Sequence, residues 1–333
     1  MRKSNFEALR IFAMFGIVLH HLMVNDLDVL GYNKPYLVSE GGVFPILNSI
    51  AVCGVDLFLL ITGWFGVKSV FKKIISLSIM CFLIGSLCMI IGLLSPVYES
   101  SVRNNFLTIT SLHSWFIKFY FILLVVSPVL EWIIGKINKN QLLFLFLVLT
   151  ILNVVGCWGF EIIHDNSQGY SVLNFIYMYL MGRILKEFSN AKFLLLLKKD
   201  GIYLVAIIAV ATGFLFESLN SGHNTIESGK YGAYNGPLVL TLAMLIFLHF
   251  SSLDFSNKYI NYVASSALIV YLAHSNLVMG YYRNMMTDAI TDKIGLLLGL
   301  IVAAIIVYMI GTIIGTGIVN VQKRIMGLIY KGR

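Results

Sequence analysis

The side chains best placed to do chemistry in this chain are ionisable groups that interrupt long apolar runs. Such groups are costly inside a membrane, so each one is a functional hypothesis by default. A guanidinium suits an anionic ligand, an imidazole suits proton transfer, and a buried carboxylate needs a proton or a cation. Eight residues fit this description: Arg10, His20, His21, Asp56, Lys118, Glu131, His249 and His274.

The first apolar run carries two of these groups on one helix face. Arg10 and His21 are eleven residues apart, which at about 100° per residue is close to three full turns and about 16 Å of axial rise. His20 points about 80° away from that line. We therefore expect one face to present a cation near one end and an imidazole deep in the membrane. The alternative is an interfacial arginine and a histidine that bonds to a neighbouring helix.

A second run, Gly54–Phe65, places Asp56 near the middle of the membrane. An unpaired carboxylate there is expensive, so we expect Asp56 to be protonated, or to pair with a cation or a hydrogen-bond donor. Thr62 and Gly63 are small enough to allow close helix packing. Glycine pairs with GxxxG spacing are also predicted to pack helices, and they allow a homodimer. These pairs are Gly295/Gly299 and Gly311/Gly315.

Two further runs combine aromatic and polar side chains. Trp115, Lys118 and Tyr120 lie at the start of one run, where an aromatic belt at the membrane interface would also place such rings. Tyr271 and His274 stand close together in the other run. A lone histidine in a span is commonly a packing residue, and the alternative is a contact to a proton or a substrate.

The composition predicts which elements hold these residues. Of the 333 residues, 58% are apolar and 12% are charged, against about 45–50% and about 25% in soluble domains. This excess excludes a soluble or disordered protein, and the long continuous runs exclude a membrane β-barrel. We predict an all-α, polytopic membrane helix bundle that forms a single domain over residues 1–333. A span needs about 20 apolar residues. Ten segments qualify: 7–24, 46–66, 74–95, 114–134, 141–160, 170–185, 201–217, 236–252, 259–279 and 294–319.

The charge distribution orients these ten spans. The net charge is +8, and 18 of the 24 Lys and Arg residues fall on one side of the membrane when the spans alternate, while five fall on the other. Basic residues concentrate on the cytoplasmic side of membrane proteins, so both termini are predicted to be cytoplasmic. Topology therefore explains the positive charge, and we expect no nucleic-acid partner.

Other chemistries find no support in the sequence. The four cysteines lack CxxC spacing and a histidine partner, so we expect buried thiols rather than a disulfide or a metal site. P-loop, GxSxG and HExxH motifs are absent from the sequence. The N-terminal segment resembles a signal peptide but lacks a small-residue cleavage site, which predicts a retained first helix.

In their order along the chain, these motifs resemble the integral membrane acyltransferase 3 family, which O-acylates bacterial surface carbohydrates. The resemblance covers residues 5–320. Each motif is weak alone, whereas five in the family's order on a ten-span chain are specific. They are Arg10 with His21, Gly54-Val55-Asp56 through Thr62-Gly63-Trp64 with Thr in place of the usual Ser, Trp115-Phe116 with Tyr120 and Ser127-Pro128, Tyr179-Leu180-Met181-Gly182-Arg183, and Tyr271-Leu272 with His274.

The resemblance implies a single-domain membrane O-acetyltransferase without the C-terminal hydrolase-like domain that some relatives carry. It implies acetyl-CoA as the acyl donor, with its phosphates at Arg10, and a hydroxyl of a surface glycan or lipid-linked glycan as the acceptor. His21 is then the expected general base, and Asp56 joins it at the catalytic site. No metal is expected, and the implied location is the bacterial cytoplasmic membrane, in contact with lipid. The acceptor path is expected to be lined by Trp115, Tyr120, Tyr271 and His274.

The main alternative is a transporter or flippase for a glycan precursor that performs no acyl transfer. It accounts for the spans and the intramembrane charges equally well. It also predicts paired half-repeats with broken helices, and the sequence displays no such internal symmetry. A purely structural membrane subunit is a third option, but it would not need Arg10, Asp56 and His21 within its spans.

Overall fold

The computed structural model describes residues 3–30, 42–95, 101–162, 168–221 and 232–330. Within these ranges all regular structure is helical, which confirms the predicted all-α class. The described residues form fourteen α-helices: α1 (Asn5–His21), α2 (Val43–Ala51), α3 (Gly54–Phe65), α4 (Val70–Leu93), α5 (Val102–Thr110), α6 (Trp115–Lys136), α7 (Lys139–Thr150), α8 (Val172–Glu187), α9 (Lys192–Ser221), α10 (Pro237–Ser252), α11 (Lys258–Ala264), α12 (Ala267–His274), α13 (Leu277–Ile294) and α14 (Leu296–Tyr330). In the described ranges, the π-helical segment Leu22–Asp26 continues α1, and the π-helical segment Ile151–Gly159 continues α7.

A helix occupies every one of the ten segments predicted as spans. Among the described residues, six helical segments are long and apolar enough to cross a membrane, and α11–α13 is a seventh if it is counted as one bent span. The other three predicted segments hold α8, α9 and α10, of which α8 and α10 are only 16 residues long. The membrane-helix class is confirmed, whereas the count of ten spans and the cytoplasmic termini stay predictions.

The predicted span 259–279 is divided among three helices in the structure. α11 ends at Ala264, α12 ends at His274, and this pair meets α13 at an angle of 92°. Asn276 caps the start of α13, because its side chain accepts a hydrogen bond from the Val278 N–H. α13 carries both acidic and basic side chains, so a search for apolar runs gives no sign of it.

Close packing of α3 holds the centre of the bundle together. A Cβ atom on Gly63 would lie 2.1 Å from the carbonyl oxygen of Tyr179 on α8. One on Gly54 would lie 2.4 Å from the carbonyl oxygen of Ala13 on α1. Only glycine lets these backbones approach so closely. The packing role predicted for Gly63 is therefore confirmed, and α3 is held between α1 and α8.

The late glycine pairs divide into packing and turn positions. Gly311 and Gly315 of α14 lie against α12, and Gly299 packs on Thr291, as predicted. Gly295 instead ends α13 with a φ of +86° and has no described neighbour within 4 Å of an added Cβ. Glycine commonly adopts this left-handed conformation at the end of a helix. The packing role predicted for Gly295 is therefore wrong.

The buried core contains the four cysteines and the largest enclosed side chains of the bundle. Tyr179, Phe175 and Phe247 are each less than 2% exposed. All four cysteines are buried and free, which confirms that they are thiols of the core.

α1 runs through the bundle and connects its two ends. It contacts α2, α3, α10, α11, α12 and α14. At its start the ring of Phe6 packs on Phe65, with centroids 5.0 Å apart. On the same side Lys72 lies 5.4 Å from the ring centroid of Tyr330. We call this the terminal end, since it holds both ends of the described chain, and we call the opposite end, where α1 closes at His21, the histidine end.

Candidate active site

Two histidines from distant parts of the chain meet at the histidine end. His21 is the last residue of α1, and His274 is the last residue of α12. The Nδ1 atom of His21 lies 3.0 Å from the Nε2 atom of His274. The sequence indicated each residue separately, His21 as a base and His274 as an acceptor contact. The structure makes them hydrogen-bonded partners, and His274 is buried.

The hydrogen bonds of this pair determine where its protons lie. The Nδ1 atom of His274 is 2.7 Å from the backbone carbonyl oxygen of Val270. Because a carbonyl can only accept, His274 carries its proton on Nδ1, and its Nε2 accepts a hydrogen bond from the Nδ1–H of His21. In the neutral pair the Nε2 of His21 is therefore unprotonated, which is the state that a general base requires.

A buried ion pair joins the two segments that carry the histidines. Arg283 of α13 donates to both carboxylate oxygens of Asp26, from Nε at 2.7 Å and from Nη2 at 2.6 Å. Its Nη1 donates to the backbone carbonyl of His274. Sequence reasoning missed both residues and counted them only as charges of the outer face. The available signal was that an acidic residue, Asp26, follows His21 by five residues, and that a basic residue, Arg283, follows His274 by nine.

A cavity of about 470 Å³ runs along the face of α1 that carries Arg10. Glu7, Arg10, Met14 and Ile17 line it, and their spacing continues to position 21 on the same helix face. Opposite α1 the cavity is lined by Phe116, Tyr120 and Tyr271. The ring centroid of Tyr271 lies 6.4 Å from that of His21. The cavity therefore borders the predicted helix face from Glu7 to Ile17, one turn short of His21, and among the described residues neither His21 nor His274 lines it.

Arg10 is not a free cation at the mouth of this cavity. Its guanidinium donates to the carboxylate of Glu7 one turn earlier on α1. The Glu7 side chain is 3% exposed, whereas that of Arg10 is 25% exposed. Arg10 therefore lines the cavity as half of an ion pair, and part of its charge is already compensated.

Lysines supply positive charge at the terminal end of the cavity. A second space of about 670 Å³ adjoins the first and shares Lys73, Tyr120 and Lys323 with it. Lys68 and Lys72 also line this second space. We call this second space, which is lined by Lys68, Lys72, Lys73 and Lys323, the basic groove. The sequence counted these lysines only as evidence for topology, because their convergence depends on how α4 packs against α14.

The predicted aromatic residues separate into two groups. Tyr120 stacks on Phe116 with centroids 5.5 Å apart and lines the cavity. Tyr271 also lines the cavity, and its hydroxyl is 2.7 Å from Oγ of Ser114. Trp115 lies in a separate aromatic cluster, which it forms with Tyr170 at 4.6 Å and Tyr234 at 5.3 Å between centroids.

Asp56 lies apart from the histidine pair. Gly54 faces α1, and Asp56, two residues later, points about 200° away from it, towards α8. The carboxyl is fully buried beside Asn174, and neither of its oxygens makes a hydrogen bond within the described part of the chain. Its other polar neighbours are Cys53, Tyr177 and Tyr234. The structure therefore does not bring Asp56 together with His21.

Three of the four remaining ionisable residues of the spans have local partners or face outwards, whereas the buried Nδ1 of the fourth, His249, makes no hydrogen bond within the described part of the chain. The Nδ1 of His20 lies 2.6 Å from Oδ1 of Asn48, on a different line from His21, as helix geometry predicts. Arg183 pairs with Glu131 at 3.3 Å, and Lys118 is exposed. Within the described ranges, no group of three or more His, Cys, Asp or Glu side chains is arranged to hold a metal ion.

The structure combines apolar helices of spanning length, a buried histidine pair, and a cavity that adjoins a basic groove, as in a multi-pass membrane protein with groups suited to acid–base chemistry. A family model described as an acyltransferase domain matches residues 3–319, nearly the whole chain. The protein belongs to this acyltransferase 3 family, as the sequence motifs predicted, and is a membrane acyltransferase. No curated protein and no solved structure matches the chain.

Proposed function

We propose that the protein is an O-acetyltransferase of the bacterial cytoplasmic membrane. It transfers acetyl from cytoplasmic acetyl-CoA to a hydroxyl of a cell-surface or exported glycan. The observations that carry this proposal are the basic groove, the cavity that follows the Arg10 face of α1 as far as Ile17, and the His21–His274 pair one turn beyond Ile17 on that helix. An anion-binding end and a proton-accepting end are what an acyl-CoA donor and a hydroxyl acceptor require.

The basic groove is the proposed site for the phosphates of the donor. Within the described ranges, no carboxylate oxygen lies within 4 Å of the charged nitrogen of any of its four lysines. Arg10, by contrast, is paired with Glu7. The axial rise from Arg10 to His21 is about 16 Å, comparable to an extended pantetheine arm. A donor with its phosphates at the terminal end therefore presents its thioester near His21. The predicted topology puts this end in the cytoplasm, where CoA is made.

The proposed reaction uses the free Nε2 of His21 as the base. Nε2 accepts the proton of the acceptor hydroxyl as the hydroxyl oxygen attacks the thioester carbonyl carbon. The C–S bond then breaks, and the CoA sulfur leaves with the proton that His21 returns to it. The His21 imidazolium formed in between donates its Nδ1–H to the Nε2 of neutral His274, which holds the ring in place. Asp56 has no step in this mechanism, because its carboxyl points towards α8.

The acceptor is proposed to approach from the histidine end. Trp115, Tyr170 and Tyr234 supply flat apolar surfaces with polar tips, a combination common in ligand sites. Tyr170 is 39% exposed, so the cluster is accessible to a ligand. Trp115 is adjacent in the chain to Phe116, which lines the cavity. This position supports the acceptor contact expected for Trp115 and leaves Tyr120 and Tyr271 to line the donor's path.

The decisive experiment incubates purified protein in lipid nanodiscs with radiolabelled acetyl-CoA and glycan from the cell envelope. Acetyl incorporation and release of the CoA thiol are measured together. We expect both, and we expect His21→Ala to lower the rate by about 100-fold or more, the contribution of a general base. His20→Ala is the matched control, because His20 is adjacent but bonded to Asn48. Normal transfer by folded His21→Ala protein would remove the base assignment.

A further inference from the structure

The Arg283 side chain bonds both to the π-helical turn that follows His21 and to the last residue of α12, His274. Its guanidinium holds the carboxylate of Asp26, at the end of the π-helical turn that follows His21. It also holds the backbone carbonyl of His274 at the end of α12. The ion pair is buried, with side-chain exposures of 9% and 2%. The two histidine-bearing ends are therefore tied to one rigid group on a third helix, α13.

The geometry of this contact suits an arginine in particular. Two parallel N–H groups meet the two oxygens of Asp26, which fixes orientation as well as distance. A third N–H satisfies a carbonyl at the C-terminus of α12, where a helix leaves its last carbonyls without partners. A lysine carries one point charge on a flexible stem and cannot make all three bonds in this fixed arrangement.

The local backbone also indicates a functional constraint. The helix that carries His21 widens into a π-helical turn directly after this residue. Asp26 is the last residue of the turn and accepts a hydrogen bond from Arg283. Short π-helical segments occur frequently at functional sites. The backbone carbonyl of Asp26 also accepts a hydrogen bond from the Asn284 side chain at 3.3 Å. The turn is therefore bonded to α13 through both its side chain and its main chain.

We infer that Arg283 and Asp26 are positioning residues that set the spacing and proton arrangement of the His21–His274 pair. They hold His274 where its Nε2 accepts from the Nδ1–H of His21, so the Nε2 of His21 stays free of a proton. The inference rests on the proposed function for its catalytic meaning. The proton arrangement itself can be measured without any reaction.

The test combines kinetics with a spectroscopic signature in Arg283→Gln, Arg283→Lys and Asp26→Asn proteins. A displacement of about 1 Å at a reacting group costs about 100-fold in rate. We expect Arg283→Gln to lower kcat for acetyl transfer by that factor, with the KM for acetyl-CoA unchanged. Arg283→Lys should fall in between, because it retains part of the contact. Arg103→Gln is the matched control, since Arg103 is an exposed arginine on α5.

Nitrogen-15 NMR of histidine-labelled protein supplies the second readout, with the His21 signals assigned by comparison with His21→Ala. In the unaltered protein we expect protonated Nδ1 and unprotonated Nε2 on His21. In Arg283→Gln and Asp26→Asn we expect a mixture of His21 forms, in a part of which Nε2 carries the proton. A purely structural ion pair would lower thermal stability and leave both the proton arrangement and the kcat of the folded fraction unchanged.

The outcomes separate this inference from the proposed function. Unaltered kcat and an unaltered His21 signal in folded Arg283→Gln would overturn the positioning role. If Arg283→Gln does not fold, the same result in Arg283→Lys or Asp26→Asn overturns it. If instead the His21 nitrogen signals shift in Arg283→Gln while His21→Ala transfers acetyl normally, Arg283 still positions the pair and the base assignment fails.

Discussion

Replacing His274 with alanine tests the proton arrangement at the centre of the proposed mechanism. His274 accepts a hydrogen bond from the Nδ1–H of His21 across 3.0 Å, inside a buried site. When His21 takes the acceptor's proton it becomes an imidazolium, and this bond becomes one from a charged donor. Hydrogen bonds to charged groups contribute about 1.5–3 kcal/mol. Each 1.36 kcal/mol of lost transition-state stabilisation is about tenfold in rate.

His274→Ala should therefore lower kcat for acetyl transfer by about 10- to 150-fold. The KM for acetyl-CoA should stay unchanged, because the basic groove lies at the terminal end and His274 lies at the histidine end. The assay is steady-state release of CoA thiol by protein in nanodiscs, at saturating glycan. His274→Gln should recover part of the rate, since its Oε1 can accept the bond from His21.

The control variant is His249→Ala, which replaces a histidine of α10 at the terminal end. It should retain the unaltered kcat. The expected result depends on the protein remaining folded, which is checked by its thermal unfolding midpoint. If folded His274→Ala retains kcat to within about twofold, the loss is below the range of a bond to a charged group. His21 would then not need His274 to hold its proton on Nδ1.

Two further predictions concern the donor site and the topology. Lys73→Gln combined with Lys323→Gln should raise the KM for acetyl-CoA by about 10- to 30-fold with little change in kcat, from about 1 kcal/mol per lost charge. The effect should weaken in high salt. Lys118→Gln is the control, because that lysine lies outside both cavities. An unchanged KM in the double variant would remove the groove from the donor site. Because all four native cysteines are buried, a membrane-impermeant maleimide should label only introduced cysteines in the native protein. In oriented vesicles Lys3→Cys should react from the cytoplasmic side and Lys293→Cys from the other, and labelling of both from one side would contradict the predicted topology.

The local part of the site could be predicted from the sequence, because helix geometry acts over short distances. The common face of Arg10 and His21 follows from their spacing, and the cavity borders that face. The same geometry correctly separates His20, which bonds to Asn48. The packing role of Gly63 also follows from residue size alone.

The rest of the site depends on contacts that no local pattern encodes. His21 and His274 are separated by 253 residues, and they meet only because α12 ends where the chain bends by 92°. Arg283 lies on α13, whose mixed charges hide it from a search for apolar spans. Asp56 was expected at the catalytic site because it is costly in a membrane, but burial cost alone does not specify which neighbour a side chain faces.

The length of α14 has a consequence for which donors the enzyme can use. At 35 residues it is about 52 Å long, whereas the hydrocarbon layer is about 30 Å thick. At least one end of α14 therefore extends into water, and its last turns supply Lys323 and Tyr330 to the basic groove. In the proposed complex, the nucleotide of acetyl-CoA bound there would remain hydrated, and only its uncharged thioester arm would enter the apolar interior. A small anionic donor such as acetyl phosphate would have to carry its charge along the cavity, so desolvation would favour the proposed donor with its long neutral arm.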